Sequence, residues 1–320
     1  MIWLHSFRDS NILDLYTDFT VFGEKCSFFI TRCTHAVDIF LMLSGFGLYF
    51  IYKKKGEIDF FRRAKRLYFI FLIPFCIFVP LGCWLRPDIY PGSWMEFLQN
   101  ITTWHTTYNG TWWFLFPYFV FLLYSNYLFK LIDRHGLIAL LLSLALGTVA
   151  YGVKWAEAHQ YITVYYWMHQ CLDIIIFPIP ITIGACINKY AIIDKAKAYV
   201  GDRHYLTVIA LICVLAIRLS TDFDFGLKWF YAAAIIILYS LLPKHPRVSA
   251  FLEQLGKHAT TMWLVHAFFI WYLFTDYIYA LKYSILIYLV VVILSYLVAL
   301  VLDKVQNILV NTQTMQKILK

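Results

Sequence analysis

The chain has 320 residues, of which 61% are hydrophobic, 20% aromatic and only 14% charged, with a mean hydropathy of +0.66. An ordinary soluble protein carries about 25% charged residues, so this composition excludes a soluble enzyme; with 9 Pro, 14 Gly and 7 irregularly spaced Cys it also excludes disordered, collagen-like and disulfide-scaffold chains. The net charge of +8 comes from short Lys and Arg clusters between apolar blocks, a pattern that writes membrane topology and gives no reason to expect a nucleic-acid partner.

Met1–Phe7 is too short to cross a bilayer and reads as the last turns of a truncated first helix. Nine apolar blocks long enough to span about 30 Å of hydrocarbon follow. They are Ala36–Tyr52, Leu67–Leu85, Trp112–Phe129, Leu137–Val153, Leu172–Ile187, Tyr205–Ile217, Leu227–Leu242, Met262–Phe274 and Tyr283–Leu302. They are continuous and do not alternate, so the expected fold is all-α, a polytopic transmembrane helix bundle, and not a β-barrel. No repeat or linker divides it, and residues 1–320 read as a single membrane-embedded domain.

Orientation follows from charge. One set of connecting segments holds 19 of the 27 Lys and Arg, from Lys53–Lys55 and Arg62–Arg66 through Lys257 and Lys304 to Lys317 and Lys320. That set is predicted to face the cytoplasm together with the C-terminus. The long segments Arg8–Ser27 and Arg86–Thr111 then lie outside; the second is rich in Trp and Tyr, as befits a cover over a site or an interfacial anchor. Cys26 and Cys33 flank the first outside segment and are free to pair or not. Asn100-Ile-Thr102 and Asn109-Gly-Thr111 match the glycosylation pattern on the outside segment.

Ionisable residues at membrane depth are expensive, so each is a candidate for function. His5 in Trp3-Leu4-His5-Ser6 suits a general base, with a hydrogen-bonded interfacial imidazole as the plain alternative. Arg63 and Arg66 are three residues apart and share a helix face. Their guanidinium forks suit phosphates, although any basic loop also marks topology. His266 sits inside an apolar block, where a catalytic role and an interhelical hydrogen bond are equally open. Asp38 precedes Ser44-Gly45-Phe46-Gly47, small residues that admit a ligand or simply a neighbouring helix. No His or Cys spacing suggests a metal.

The order of these pieces resembles the integral-membrane acyltransferase 3 family. Trp3-Leu4-His5-Ser6 resembles the end of that family's first helix, where a His is proposed to be catalytic. His35-Ala36-Val37-Asp38-Ile39-Phe40-Leu41-Met42-Leu43-Ser44-Gly45-Phe46 resembles its V-D-x-F-F-x-x-S-G-F segment. Arg63-Ala64-Lys65-Arg66 matches R-x-x-R, Thr111-Trp112-Trp113-Phe114-Leu115 resembles W-x-F-L, and Gly256-Lys257 with Trp263-Leu264-Val265-His266 resembles L-G-x-x-S…Y-L-x-H. The family's first helix also carries an Arg about ten residues before its His, a position that would precede Met1.

The resemblance implies a bacterial inner-membrane O-acyltransferase with ten-helix topology and no permanently bound cofactor. Acyl-CoA, chiefly acetyl-CoA, would be held at its phosphates by Arg63 and Arg66. His5, with His266, would serve catalysis, and Asp38, Ser44 and Trp113 would contact the substrate. The acceptor would be a hydroxyl of a cell-surface or lipid-linked glycan, amid membrane lipids. A lipid or glycan transporter or flippase, or an inactive accessory membrane subunit, also fits the helix count and intramembrane His, although no inverted repeat is present.

Overall fold

The computed structural model describes residues 1–221 and 227–312; Lys317 and Lys320, of the charge set expected to face the cytoplasm, lie outside the described residues. The described residues are 79% helical. Its elements run α1 (Ile2–Phe7), a hairpin of β1 (Thr20–Val21) and β2 (Glu24–Lys25), α2 (Cys26–Thr31), α3 (Ala36–Lys55), α4 (Phe60–Leu85), α5 (Trp94–Ile101) and α6 (Leu115–Ala158). There follow α7 (Tyr166–Ile176), α8 (Pro178–Lys189), α9 (Ile192–Val200), α10 (His204–Ser220), α11 (Leu227–Leu241), α12 (Pro246–Ala267), α13 (Thr275–Tyr279) and α14 (Ser284–Val310).

Five helical stretches among the described residues are long and apolar enough to cross a membrane: Cys26–Lys55, Phe60–Leu85, Gly110–Ala158, Tyr166–Lys189 and Ser284–Val310. Blocks 112–129 and 137–153, expected as separate spans, lie on the single 44-residue α6, whose backbone leaves helical geometry at His135 (φ −137°, ψ 58°). The blocks at 205–217 and 227–242 form shorter apolar helices, His204–Ser220 and Leu227–Leu241. The block beginning at Met262 starts in the second half of α12, and a π-helical turn, Phe268–Tyr272, continues it.

Local sequence sets the ends. The hairpin turns through Phe22 and Gly23, both at positive φ (52° and 84°), the I′ geometry that matches strand twist. Helix α3 stops at Gly56 (φ 85°), whose N–H donates to Tyr52 O at 2.7 Å. Lys53, Lys54 and Lys55 complement its C-terminal dipole. Ser93 and Glu96 close a capping box at the start of α5. The backbone N–H and hydroxyl of Ser93 hold the Glu96 carboxyl below its ordinary range. Pro246 opens α12 at a position where its missing N–H is not needed.

The chain forms two compact units, 1–34 with 61–116 and 244–320, and 35–60 with 117–243. In the first, α1 lies on α12 and α14, and α12 packs along α14. Trp3 sets its ring edge-on to Tyr288 (centroids 5.0 Å), and its indole donates to Ser27 O at 3.0 Å. Phe71, Phe75 and Phe78 face inward from α4, and the fully buried Trp112 stands 5.0 Å from Phe71 and 5.5 Å from Phe268. Phe78 stacks on Phe268 at 4.5 Å. Several large rings are buried here, and their offset and edge contacts favour one arrangement. The segment 86–114 is therefore a packed part of this unit. The amides of Asn100 and Asn109 are buried and hydrogen-bonded, so neither is presented as a glycan acceptor.

In the second unit α3 and α8 pass at backbone distance. A Cβ on Gly45 would stand 2.1 Å from Ile181 O, and one on Gly184 would stand 1.9 Å from Met42 O. Met42, Ile179, Trp229 and Ala232 form a buried cluster beside that crossing. Asp133 accepts from Tyr49 Oη (2.8 Å) and Lys53 Nζ (2.9 Å) near the bend of α6. Asn126 pairs with both backbone groups of Ile58, accepting from its N–H and donating to its carbonyl. All seven cysteines are free thiols, Cys26 and Cys33 among them.

Candidate active site

His266 lies on the last turn of α12 and is fully buried. Its Nδ1 is 2.7 Å from the carbonyl oxygen of Trp263, one turn back. A carbonyl only accepts, so Nδ1 carries the hydrogen, and in the neutral ring Nε2 is left with its lone pair. That Nε2 lies 2.7 Å from Nδ1 of His5 on α1. The two ring planes are 8° apart with centroids 5.0 Å apart, so the imidazoles meet edge to edge almost in one plane. With both rings neutral, His5 Nδ1–H donates to His266 Nε2. The relay then reads Trp263 carbonyl, His266, His5, and it ends at His5 Nε2 with an available lone pair.

The end of α12 is fixed from outside the helix. At Phe268 the backbone N–H turns to the carbonyls of Val265 and His266. The Leu264 carbonyl accepts instead from Trp112 Nε1 (2.9 Å) and Asn109 Nδ2 (3.2 Å), which satisfies an end group that a helix terminus would otherwise leave bare. Asn109 is itself held by Thr111, whose backbone N–H and hydroxyl both donate to Asn109 Oδ1. Past the π turn, Tyr272 Oη accepts from Gly110 N–H at 2.7 Å, and its carbonyl accepts from Arg86 at 3.3 Å. Arg86 is braced in turn by Asp88, at 3.0 and 3.1 Å, and those bonds hold the Asp88 carboxyl below its ordinary range. His5 also packs against Trp271, whose ring centroid lies 4.9 Å away. Next to it, the Ser6 carbonyl accepts from Tyr279 Oη at 2.9 Å.

A cavity of about 330 Å³ borders His266, lined mainly by apolar side chains of α1, α12 and α14, among them Trp3, Ala259, Met262 and Tyr288. Arg63 and Arg66 fall on α4, Arg63 partly buried and Arg66 exposed. Neither has a hydrogen-bond or ion-pair partner among the described residues, and neither lines that cavity. Trp113, partly buried, sits in the short 3-10 turn before α6.

Asp38 and Ser44 belong to α3, in the other compact unit. Asp38 lies 4.0 Å from Nδ1 of His35, whose Nε2 accepts from the buried Arg218 at 2.9 Å. Ser44 is partly buried beside Gly45 at the α3–α8 crossing. Of the residues singled out from sequence, the structure thus joins His5 with His266. Trp271, Asn109, Trp112 and Arg86 were not singled out; the signal available for the indoles is that a buried Trp N–H seeks a partner.

Over residues 1–304 the sequence matches the acyltransferase 3 family, described as an acyltransferase domain. No curated protein and no solved structure matches the chain.

Proposed function

From the premise that this chain belongs to the acyltransferase 3 family, and so carries a membrane acyltransferase domain, we propose that it moves an acyl group, acetyl in the first instance, from cytoplasmic acyl-CoA to a hydroxyl of a cell-surface or lipid-linked glycan. It would act in a bacterial inner membrane, with nine full spans and with its C-terminus in the cytoplasm. The observation that carries this reading is the His5–His266 relay, with its 2.7 Å contact and an unused lone pair at His5 Nε2.

His5 Nε2 takes the proton of the acceptor hydroxyl as its oxygen attacks the thioester carbonyl. The resulting imidazolium is steadied because its Nδ1–H already points at the bare Nε2 of His266. General-base catalysis of this kind is worth roughly 10²–10⁴-fold, and fixed geometry supplies a further share. The cavity beside His266 gives an acyl chain apolar walls. Trp113 is an acceptor contact in this reading, and His266 acts by orienting His5.

Arg63 and Arg66 grip the phosphates of CoA. Two guanidinium groups on one helix face, without a protein partner among the described residues, suit that task. Arg63→Ala and Arg66→Ala are each expected to raise KM for acetyl-CoA by about 10-fold or more, since a hydrogen bond to a charged group is worth roughly 1.5–3 kcal/mol. The maximal rate should fall less. An unchanged KM in both variants would remove the pair from the donor site.

The decisive experiment incubates membranes bearing the chain with labelled acetyl-CoA and a crude host glycan fraction. Label should enter the glycan with release of CoA, and transfer should vanish in His5→Ala. A chain that moves glycan without consuming the thioester would be a transporter instead.

A further inference from the structure

Attack on a thioester carbonyl puts negative charge on its oxygen, and that charge needs a donor within a water-poor site. The two imidazoles have none to spare. His266 Nδ1–H is committed to the Trp263 carbonyl, and His5 Nδ1–H is committed to His266 Nε2. Beside His5 stands Trp271, its ring centroid 4.9 Å away and its plane tilted by 46°. The indole Nε1 of Trp271 is sealed from solvent and has no hydrogen-bond partner among the described residues. An unmade buried donor disfavours the folded state, so its presence against a catalytic candidate calls for a use.

The backbone around it is also unusual. Trp271 belongs to the π turn Phe268–Tyr272, a rare geometry that recurs at functional sites. The turn is pinned at its next residue, because Tyr272 accepts from Gly110 N–H through its hydroxyl and from Arg86 through its carbonyl. A donor on a pinned turn is held in place before the charge develops, as electrostatic stabilisation requires.

We propose that the Trp271 indole N–H is the oxyanion donor of this site, a catalytic residue beyond the histidine pair; the proposal rests on the acyl-transfer reading above. The hydroxyl oxygen forms a bond to the thioester carbon while its proton passes to His5 Nε2. The carbonyl electron pair moves onto oxygen and is met by Trp271 Nε1–H. The carbonyl then re-forms and the carbon–sulfur bond breaks. The leaving thiolate takes the proton from His5, giving the ester and free CoA.

The test compares the wild-type chain, Trp271→Phe, a chain with benzothienylalanine in place of Trp271 (the same shape with sulfur where the N–H was) and His5→Ala. Each is assayed with acetyl-CoA and the host glycan fraction, and each thermal unfolding midpoint is measured in detergent. Both Trp271 replacements should lose roughly 10²–10³-fold in maximal rate, with KM for acetyl-CoA within about threefold of wild type. The benzothienylalanine chain should unfold no earlier than wild type, because it loses a donor that had no partner. Wild-type rates in that chain overturn the proposal, whatever Trp271→Phe does, since shape and not the N–H would then matter. A rate loss accompanied by a lower midpoint in the benzothienylalanine chain assigns Trp271 to packing and overturns it too. Full activity in His5→Ala is a separate result: it removes His5 as the base of the reaction, and with it the step in which Trp271 meets the charge beside that base.

Discussion

His5→Ala should lower acyl transfer by roughly 10²–10⁴-fold at saturating acetyl-CoA, with KM little changed. The ring supplies the proton acceptor, whereas the donor phosphates are assigned to Arg63 and Arg66. The partner residue sets a graded series. His266→Gln keeps an acceptor near the old Nε2, so His5 Nδ1–H still has a destination and much of the rate survives. His266→Leu leaves that N–H buried beside an apolar side chain. The favoured tautomer of His5 is then the one that moves its hydrogen to Nε2, and the base is lost at the position where it is needed. The expected order of rates is wild type, His266→Gln, His266→Leu, His5→Ala. A buried donor left unpaired also costs about 1–3 kcal/mol of stability, so each variant is to be compared by unfolding midpoint as well as rate. His5→Ala within a few fold of wild type, with His266→Leu lower, would reverse the roles of the two rings.

Much of the architecture is legible in the chain because membrane helices announce themselves by length and hydropathy alone. The blocks at 36–52 and 67–85 fall inside α3 and α4, and the block at 283–302 falls inside α14 but for Tyr283, its N-cap. The apolar criterion also locates a break between 129 and 137, and the structure puts the non-helical His135 there, although the helix continues on both sides. It is blind to the first half of α12. Residues 246–261 include Glu253, Gln254, Lys257 and His258 and carry no span-like signal. They are helical because the helix packs along α14, where His258 and Thr261 both bond to Asp303.

The site shows the same division. His5 and His266 stand out singly as polar residues in apolar surroundings, but 261 positions separate them, and no local pattern encodes that they touch. Trp112 and Trp271 are hidden for another reason. In a chain that is one-fifth aromatic, an indole that holds a helix carbonyl or waits beside an imidazole reads like any membrane-interface Trp.

The small-residue run 44–47 gives the other large effect, and it is one of stability. Gly184→Ala should destabilise the protein by about 3 kcal/mol or more, at or beyond the upper end for overpacking. The added carbon would sit 1.9 Å from the carbonyl oxygen of Met42. No real Cβ tolerates that distance, and the obstacle is backbone, which cannot swing aside like the tip of a side chain. Gly45 faces Ile181 O in the same way at 2.1 Å, so each glycine admits the carbonyl of the other helix, one turn apart along an antiparallel pair. Close backbone approach of this kind is how membrane helices gain dispersion contact without a hydrophobic drive between them. Relief requires α3 and α8 to separate, which opens the neighbouring cluster of Met42 and Ile179. Since one separation accommodates both carbons, Gly45→Ala with Gly184→Ala should cost less than the sum of the single effects. Gly47 provides the contrast on the same helix. A Cβ there meets nothing within 4 Å, and Gly47→Ala should stabilise by up to about 1 kcal/mol through helix propensity alone. Unfolding midpoints of the purified chains in detergent decide the matter: Gly184→Ala as stable as wild type would refute the close crossing. Should Gly45→Ala keep its midpoint yet lose acyl transfer, the run around Ser44 would belong to the acceptor site rather than to the packing of two helices.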